Sequence, residues 1–139
     1  MTMKTYSGSC HCGAVRFEAD LDLSTGTIRC NCSVCSKARA WFVPVPIDRV
    51  RLLAGGAAQT EYQWVPPGKS EASLHYRFCQ TCGIRTFGQG GELSMPNAFY
   101  FVNVAVLDGI EPAELAASLR YVDGRNNRFD GAPGDTRLM

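Results

Sequence analysis

Apolar and polar residues alternate with a period of two along much of this chain, the pattern of strands that bury one face. Ala14-Val15-Arg16-Phe17-Glu18 and Thr60-Glu61-Tyr62-Gln63-Trp64 alternate in this way. So does Ser73 to Phe78, with Leu74, Tyr76 and Phe78 on one side and His75 and Arg77 on the other. Val50-Arg51-Leu52-Leu53 ends at Ala54-Gly55-Gly56, Ile84 to Phe87 follows a cysteine pair, and Phe99 to Leu107 is the longest apolar run. Trp41-Phe42-Val43-Pro44-Val45-Pro46 is apolar, but its prolines cannot donate to a ladder, which predicts a sheet edge or strand end. One segment has the period of a helix: Glu111 to Leu119, with Pro112 in its first turn, acids at its N-terminal end and Leu115 and Leu119 on one face. The tail from Asp123 is polar and predicts surface loop. The pattern predicts a mainly β domain with one short late helix.

A chain of 139 residues without repeats or a linker reads as a single domain, residues 1–139. At 45% hydrophobic and 19% charged it has the balance of a globular protein. Fourteen basic against 13 acidic residues leave a net charge of +1, which argues against a nucleic-acid partner held by bulk electrostatics. The opening Met1-Thr2-Met3-Lys4-Thr5-Tyr6 has no apolar run behind its lysine, unlike a signal peptide. No stretch approaches the ~18 apolar residues of a membrane helix. A cytoplasmic setting is expected, where clustered thiols bind metal rather than pair as disulfides.

Seven cysteines are the feature that bears on chemistry, and none stands alone. Cys10 and Cys12 form C-x-C, Cys30, Cys32 and Cys35 form C-x-C-x-x-C, and Cys79 and Cys82 form C-x-x-C followed by Gly83. Two pairs make four thiolates, the complement of a closed tetrahedral zinc; the triplet makes three, the complement of a zinc with one open vertex. Spacing alone also permits Cys10 and Cys12 to share a metal with two members of the triplet. The four-plus-three division is preferred because it assigns every cysteine without calling on a histidine. Three thiolates on a divalent ion leave a net negative site, weak as a Lewis acid toward a carbonyl but suited to holding an incoming sulfur as thiolate. The competing reading of the triplet is a second structural zinc closed by a further ligand.

The remaining polar features carry less. His11, between two candidate ligands, is expected to point away from their metal, and His75 is expected at the surface. Neither has a serine or aspartate partner, so a hydrolase triad finds no support. Gly88-Gln89-Gly90-Gly91 lacks the GK[ST] ending of a phosphate loop and reads as a turn. Lys37 and Arg39 follow the triplet, where they could meet the carboxylates of an anionic thiol, although solvated surface charge is the simpler reading. Trp41, Phe42, Tyr62 and Trp64 read as core or pocket wall rather than a base-stacking platform.

Three segments together resemble the glutathione-dependent formaldehyde-activating enzyme family, which includes centromere protein V-like members: Gly8 to Phe17, Cys30 to Lys37 and Phe78 to Gly83. Asn103 to Val106 and Tyr121 to Arg125 extend the resemblance more weakly, so that it spans Tyr6 to Asp130. It implies a zinc-containing β-tent of small antiparallel sheets. It implies Cys10, Cys12, Cys79 and Cys82 as ligands of a structural zinc, and Cys30, Cys32 and Cys35 as ligands of a labile catalytic zinc, two zinc ions per chain. It implies a carbon–sulfur lyase run as a synthase, joining glutathione to formaldehyde as S-(hydroxymethyl)glutathione. Phe129 stands near a position where the family often has tryptophan, a change expected in the pocket wall. The competing classes are a non-enzymatic zinc module for a protein or nucleic-acid partner and a thiol-based redox or metal sensor.

Overall fold

The structure, a computed structural model, describes residues 3–91 and 98–139; the first two residues of the opening stretch considered above lie outside them. Ten strands are described: β1 Lys4–Ser9, β2 Arg16–Leu21, β3 Thr27–Cys30, β4 Trp41–Pro46, β5 Val50–Ala54, β6 Gln59–Trp64, β7 Leu74–Cys79, β8 Arg85–Gly90, β9 Phe99–Asn103 and β10 Leu119–Val122. They form a three-stranded sheet in the order β1-β2-β5 and a seven-stranded sheet in the order β10-β3-β4-β9-β8-β7-β6. All described pairings are antiparallel except β10 with β3. The mainly β expectation holds, with one sheet larger than anticipated. Among the described residues no helix is long and apolar enough to cross a membrane.

The core lies where the two sheets face each other. Alternation on β2 turns Phe17, Ala19 and Leu21 inward, and Tyr6 joins them from β1. Val43 and Val45 of β4, Phe87 of β8 and Val102 of β9 meet them from the other sheet. The Phe17 and Phe87 rings, 5.2 Å apart and tilted at 58°, make this contact directly.

Among the described residues there are two α-helices, α1 Ser33–Ala38 and α2 Pro112–Ser118. The second is the predicted one, with Pro112 in its first turn and Glu114 near its N-terminal end. It hands the chain straight to β10 at Leu119. The first was not predicted, because six residues give an amphipathic pattern too little length to register.

Proline and glycine both behave differently from expectation. β4 lies inside the large sheet, but only Trp41 and Phe42 pair with β3, so Pro44 and Pro46 sit where that flank has no ladder to serve. Gly88 and Gly90, read above as a turn, belong to β8. A side chain at Gly88 would overlap the Phe101 ring and come within 2.6 Å of the His75 carbonyl. Glycine is there because an aromatic ring lies across the strand, not because the chain turns.

His75 corrects a second expectation. It is only 4% exposed, with Nδ1 3.2 Å from the Glu61 carboxylate on β6. The middle of β7 is covered on both faces, Tyr76 at 4% exposure being buried on the other side, so alternation there does not separate core from solvent.

Candidate metal centres

The quartet is built from two turns of similar design. Cys10 leaves β1, its N–H donates to the Val15 carbonyl at 3.1 Å, and the Val15 N–H points at the Cys10 sulfur at 3.3 Å. Cys79 ends β7, its N–H donates to the Ile84 carbonyl at 3.0 Å, and the Thr81 N–H points at the Cys79 sulfur at 3.4 Å. Each turn closes through a glycine with positive φ, Gly13 at 80° and Gly83 at 76°, a conformation that costs other residues energy.

These turns bring the sulfurs of Cys10, Cys12, Cys79 and Cys82 within 4.8 Å of one another. Cys10 and Cys12 sulfurs are 3.7 Å apart, and Cys12 and Cys79 sulfurs 3.6 Å. A tetrahedral zinc with bonds of about 2.3 Å requires sulfurs about 3.8 Å apart, so the residues present fit that ion. The Cys82 thiol is drawn down to about 6, chiefly by the Cys12 backbone N–H and next by that of Ile84, which favours the ligating thiolate. His11 is exposed and outside the cluster, as expected.

The triplet sits at a strand-to-helix junction. Cys30 ends β3, Cys32 caps α1, and Cys35 lies one turn further along the helix. Their three sulfurs lie within 4.8 Å of one another, and among the described residues no fourth His, Cys, Asp or Glu joins them. The pairing of Cys10 and Cys12 with members of the triplet, open from spacing, is not what the fold brings together.

Within the triplet the neighbouring Cys30 and Cys35 sulfurs hold the Cys32 thiol far below the ordinary range, while the Cys30 thiol is pushed up chiefly by Cys32, and the Cys35 thiol chiefly by Cys30 and next by Cys32. Three sulfurs this close cannot all ionise without a cation, and a divalent metal removes the conflict. The donor set fits zinc with an open vertex.

Several residues that hold the triplet carried no recognisable signal. Asn31, between two cysteines, is clamped by the late segment: its amide donates to Asp123 at 2.8 Å and accepts from the Arg125 backbone N–H at 2.9 Å. The weak similarity at Tyr121 to Arg125 thus falls on the segment that fixes the triplet's backbone. Tyr76 reaches across from β7, its hydroxyl 3.3 Å from the Cys35 sulfur. Burial, then the charge of Cys35, pushes the Tyr76 pKa well up, so the hydroxyl stays neutral and able to donate. Phe129 is 60% exposed and lies over Gly124.

Gly124 is a steric requirement of this site. A β-carbon there would overlap the Cys30 sulfur and press on Phe129 at 3.3 Å. Gly124→Ala is expected to displace Cys30, cost about 1–3 kcal/mol by overpacking and selectively weaken metal binding at the triplet. Metal titration followed by thiolate absorbance, set beside a melting curve, checks this; triplet affinity equal to wild type would contradict it.

Lys37 is exposed on α1. Arg39, at its C-terminal end, lines a cavity beside the site together with Trp41 and Phe42. Tyr62 and Trp64 of β6 line a shallower groove against α1.

Comparison with known proteins follows the same lines. The family model described as "Glutathione-dependent formaldehyde-activating enzyme" matches residues 5–122, which contain all seven cysteines. A crystal structure of a Rhodobacter sphaeroides protein is similar, with 33% identity over 84% of this chain and 99% of that one and a TM-score of 0.67.

Proposed function

The chain belongs to the glutathione-dependent formaldehyde-activating enzyme family, and from that premise we propose that it is a zinc-dependent carbon–sulfur lyase acting as a synthase on a thiol and a small aldehyde. Glutathione and formaldehyde are the reactants the family's description supports. The observation that carries the reading is the inequality of the two clusters: four sulfurs converge in one, and three, without a fourth ligand among the described residues, in the other. Cys10, Cys12, Cys79 and Cys82 are the proposed structural ligands, and Cys30, Cys32 and Cys35 the proposed catalytic ones.

The reaction makes one bond. The thiol sulfur adds to the carbonyl carbon, the C=O π bond breaks, and the proton given up by the thiol ends on the new hydroxyl oxygen. A zinc held by Cys30, Cys32 and Cys35 would supply positive charge that keeps an incoming thiol ionised near neutral pH. The chain's own residues do the positioning. The Asn31–Asp123 contact fixes the loop between Cys30 and Cys32, and α1 fixes Cys35. Tyr76, held neutral, is placed 3.3 Å from the Cys35 sulfur, where it would donate to that sulfur as a thiolate, and walls the adjoining cavity. Formaldehyde adds thiols unaided, so positioning and local thiolate concentration are what a protein can add.

The test combines metal quantification with turnover. Purified protein is expected to carry about two zinc ions, one of them easily chelated, and to form S-(hydroxymethyl)glutathione faster than the spontaneous reaction. Adduct formation at the uncatalysed rate, with both ions retained under chelation, would remove the proposal.

A further inference from the structure

Beside the triplet, β3, β4, β7, β8 and β9 surround a cavity of about 350 Å³ whose walls are largely apolar, with Trp41 and Tyr76 among its aromatic residues. Four guanidinium groups line it, Arg29, Arg39, Arg77 and Arg85. In a chain of net charge +1 this is a local concentration, not general basicity. Arg77 has a partner, the Glu61 carboxylate 3.6 Å from its Nε. Among the described residues Arg29, Arg39 and Arg85 have no acidic partner.

The guanidiniums are also preorganised. Arg85 lies over the Tyr76 ring at 4.1 Å and Arg29 over the Trp41 ring at 4.7 Å, which occupies their faces and leaves their N–H edges free. Nη1 of Arg77 and Nη1 of Arg85 are buried with no hydrogen-bond acceptor. A buried charged donor without an acceptor is costly, and one beside a cavity is completed by water or by a ligand that enters. The acceptor that matches the edge of a guanidinium with two parallel bonds is a carboxylate. The volume lies in the range of small-molecule sites and far exceeds the needs of formaldehyde.

We propose that this cavity is a subsite for the carboxylate of a reactant, seated by Arg29, Arg39 and Arg85, so that the molecule it anchors is presented to the triplet across Tyr76. The inference rests on the thiol–aldehyde reading given above. Two sources share the chemistry: the thiol, since glutathione carries two carboxylates, and an aldehyde that is itself an acid.

The experiment compares glutathione with its diethyl ester, which keeps the thiol and removes both carboxylates, by calorimetry on the metal-loaded protein. In cobalt-substituted protein the cysteine ligands already give thiolate charge-transfer absorption, and a change in it on adding each thiol shows whether that sulfur reaches the metal. A parallel arm compares turnover of glyoxylate with that of formaldehyde. The ester is expected to bind about 10-fold or more weakly than glutathione. That ratio is expected to fall toward one in Arg85→Gln and in Arg39→Gln; the second variant alters an exposed side chain and so guards against misfolding of the first. Equal binding of ester and acid, with glyoxylate preferred about 10-fold over formaldehyde in wild type but not in Arg85→Gln, assigns the carboxylate to the aldehyde and supports the subsite equally. Equal binding without an aldehyde preference, while both thiols change the cobalt spectrum, overturns the subsite and leaves the thiol site standing. A cobalt spectrum that neither thiol changes overturns both.

Discussion

Replacing Cys79 by serine is expected to abolish the cooperative melting transition or lower its midpoint by roughly 10–20 °C, a loss of about 5 kcal/mol or more read as a temperature shift. Cys79 is fully buried at the end of β7, and its sulfur meets that of Cys12, 67 positions earlier in the chain. Cys12 lies between β1 and β2 of the small sheet and Cys79 ends β7 of the large sheet, so the quartet fastens the two sheets. The apolar contacts at this point are few: Cys10, Val15 and Cys79, with Ala58 and Cys82 against them. Joining such distant segments opposes chain entropy, and structural zinc contributes about 10–16 kcal/mol where a whole domain has only about 5–15 in reserve. Exhaustive chelation of the wild type is expected to give the same result. Circular dichroism during heating checks both, and a Cys79→Ser protein that melts like wild type would show that the sheets hold without the metal.

What could be read before the fold was known follows from where the information lies in the chain. The cysteine spacings are local, and so are the alternations of β2, β6 and β7 and the capped pattern of α2. β1, with the sequence Lys4-Thr5-Tyr6-Ser7-Gly8-Ser9, turns only Tyr6 and Gly8 fully inward, too few apolar residues to register as a strand. β3 is four residues long and buries a threonine, which no hydropathy pattern anticipates; the Thr27 hydroxyl accepts from Trp41 Nε1 at 2.9 Å. β10 follows α2 without a break, so the expected helix runs one residue into it.

The surroundings of the triplet were illegible for a different reason. Asn31 and Asp123 are 92 positions apart, and Cys35 and Tyr76 are 41 apart. The four arginines of the cavity come from β3, the end of α1, β7 and β8, and only sheet order brings them together. Lys37 and Arg39 were singled out for nearness in sequence to the triplet. Arg39 lines the cavity and Lys37 the shallower groove, while Arg85, stacked on the tyrosine that touches Cys35, could be found only in three dimensions.

Cys32→Ser should separate the two metals. Cys32 is half-buried at the start of α1, at the margin of a small cluster formed by Ile28, Cys30, Cys35 and Val122, so its loss removes little packing and leaves the quartet untouched. A midpoint within a few degrees of wild type is therefore expected. Metal content should fall to about one ion per chain, because two sulfurs no longer hold a labile zinc against competing ligands. Thiol binding should vanish, and kcat/KM for adduct formation should fall by about 100-fold or more, the scale lost when an activating group is removed. Cys35→Ser should do the same at greater cost to the fold, since Cys35 is buried and its sulfur partners Tyr76. If Cys32→Ser folded normally, held a single zinc and still bound glutathione with wild-type affinity, the thiol would be reading the cavity alone, and the triplet would lose its claim to the chemistry.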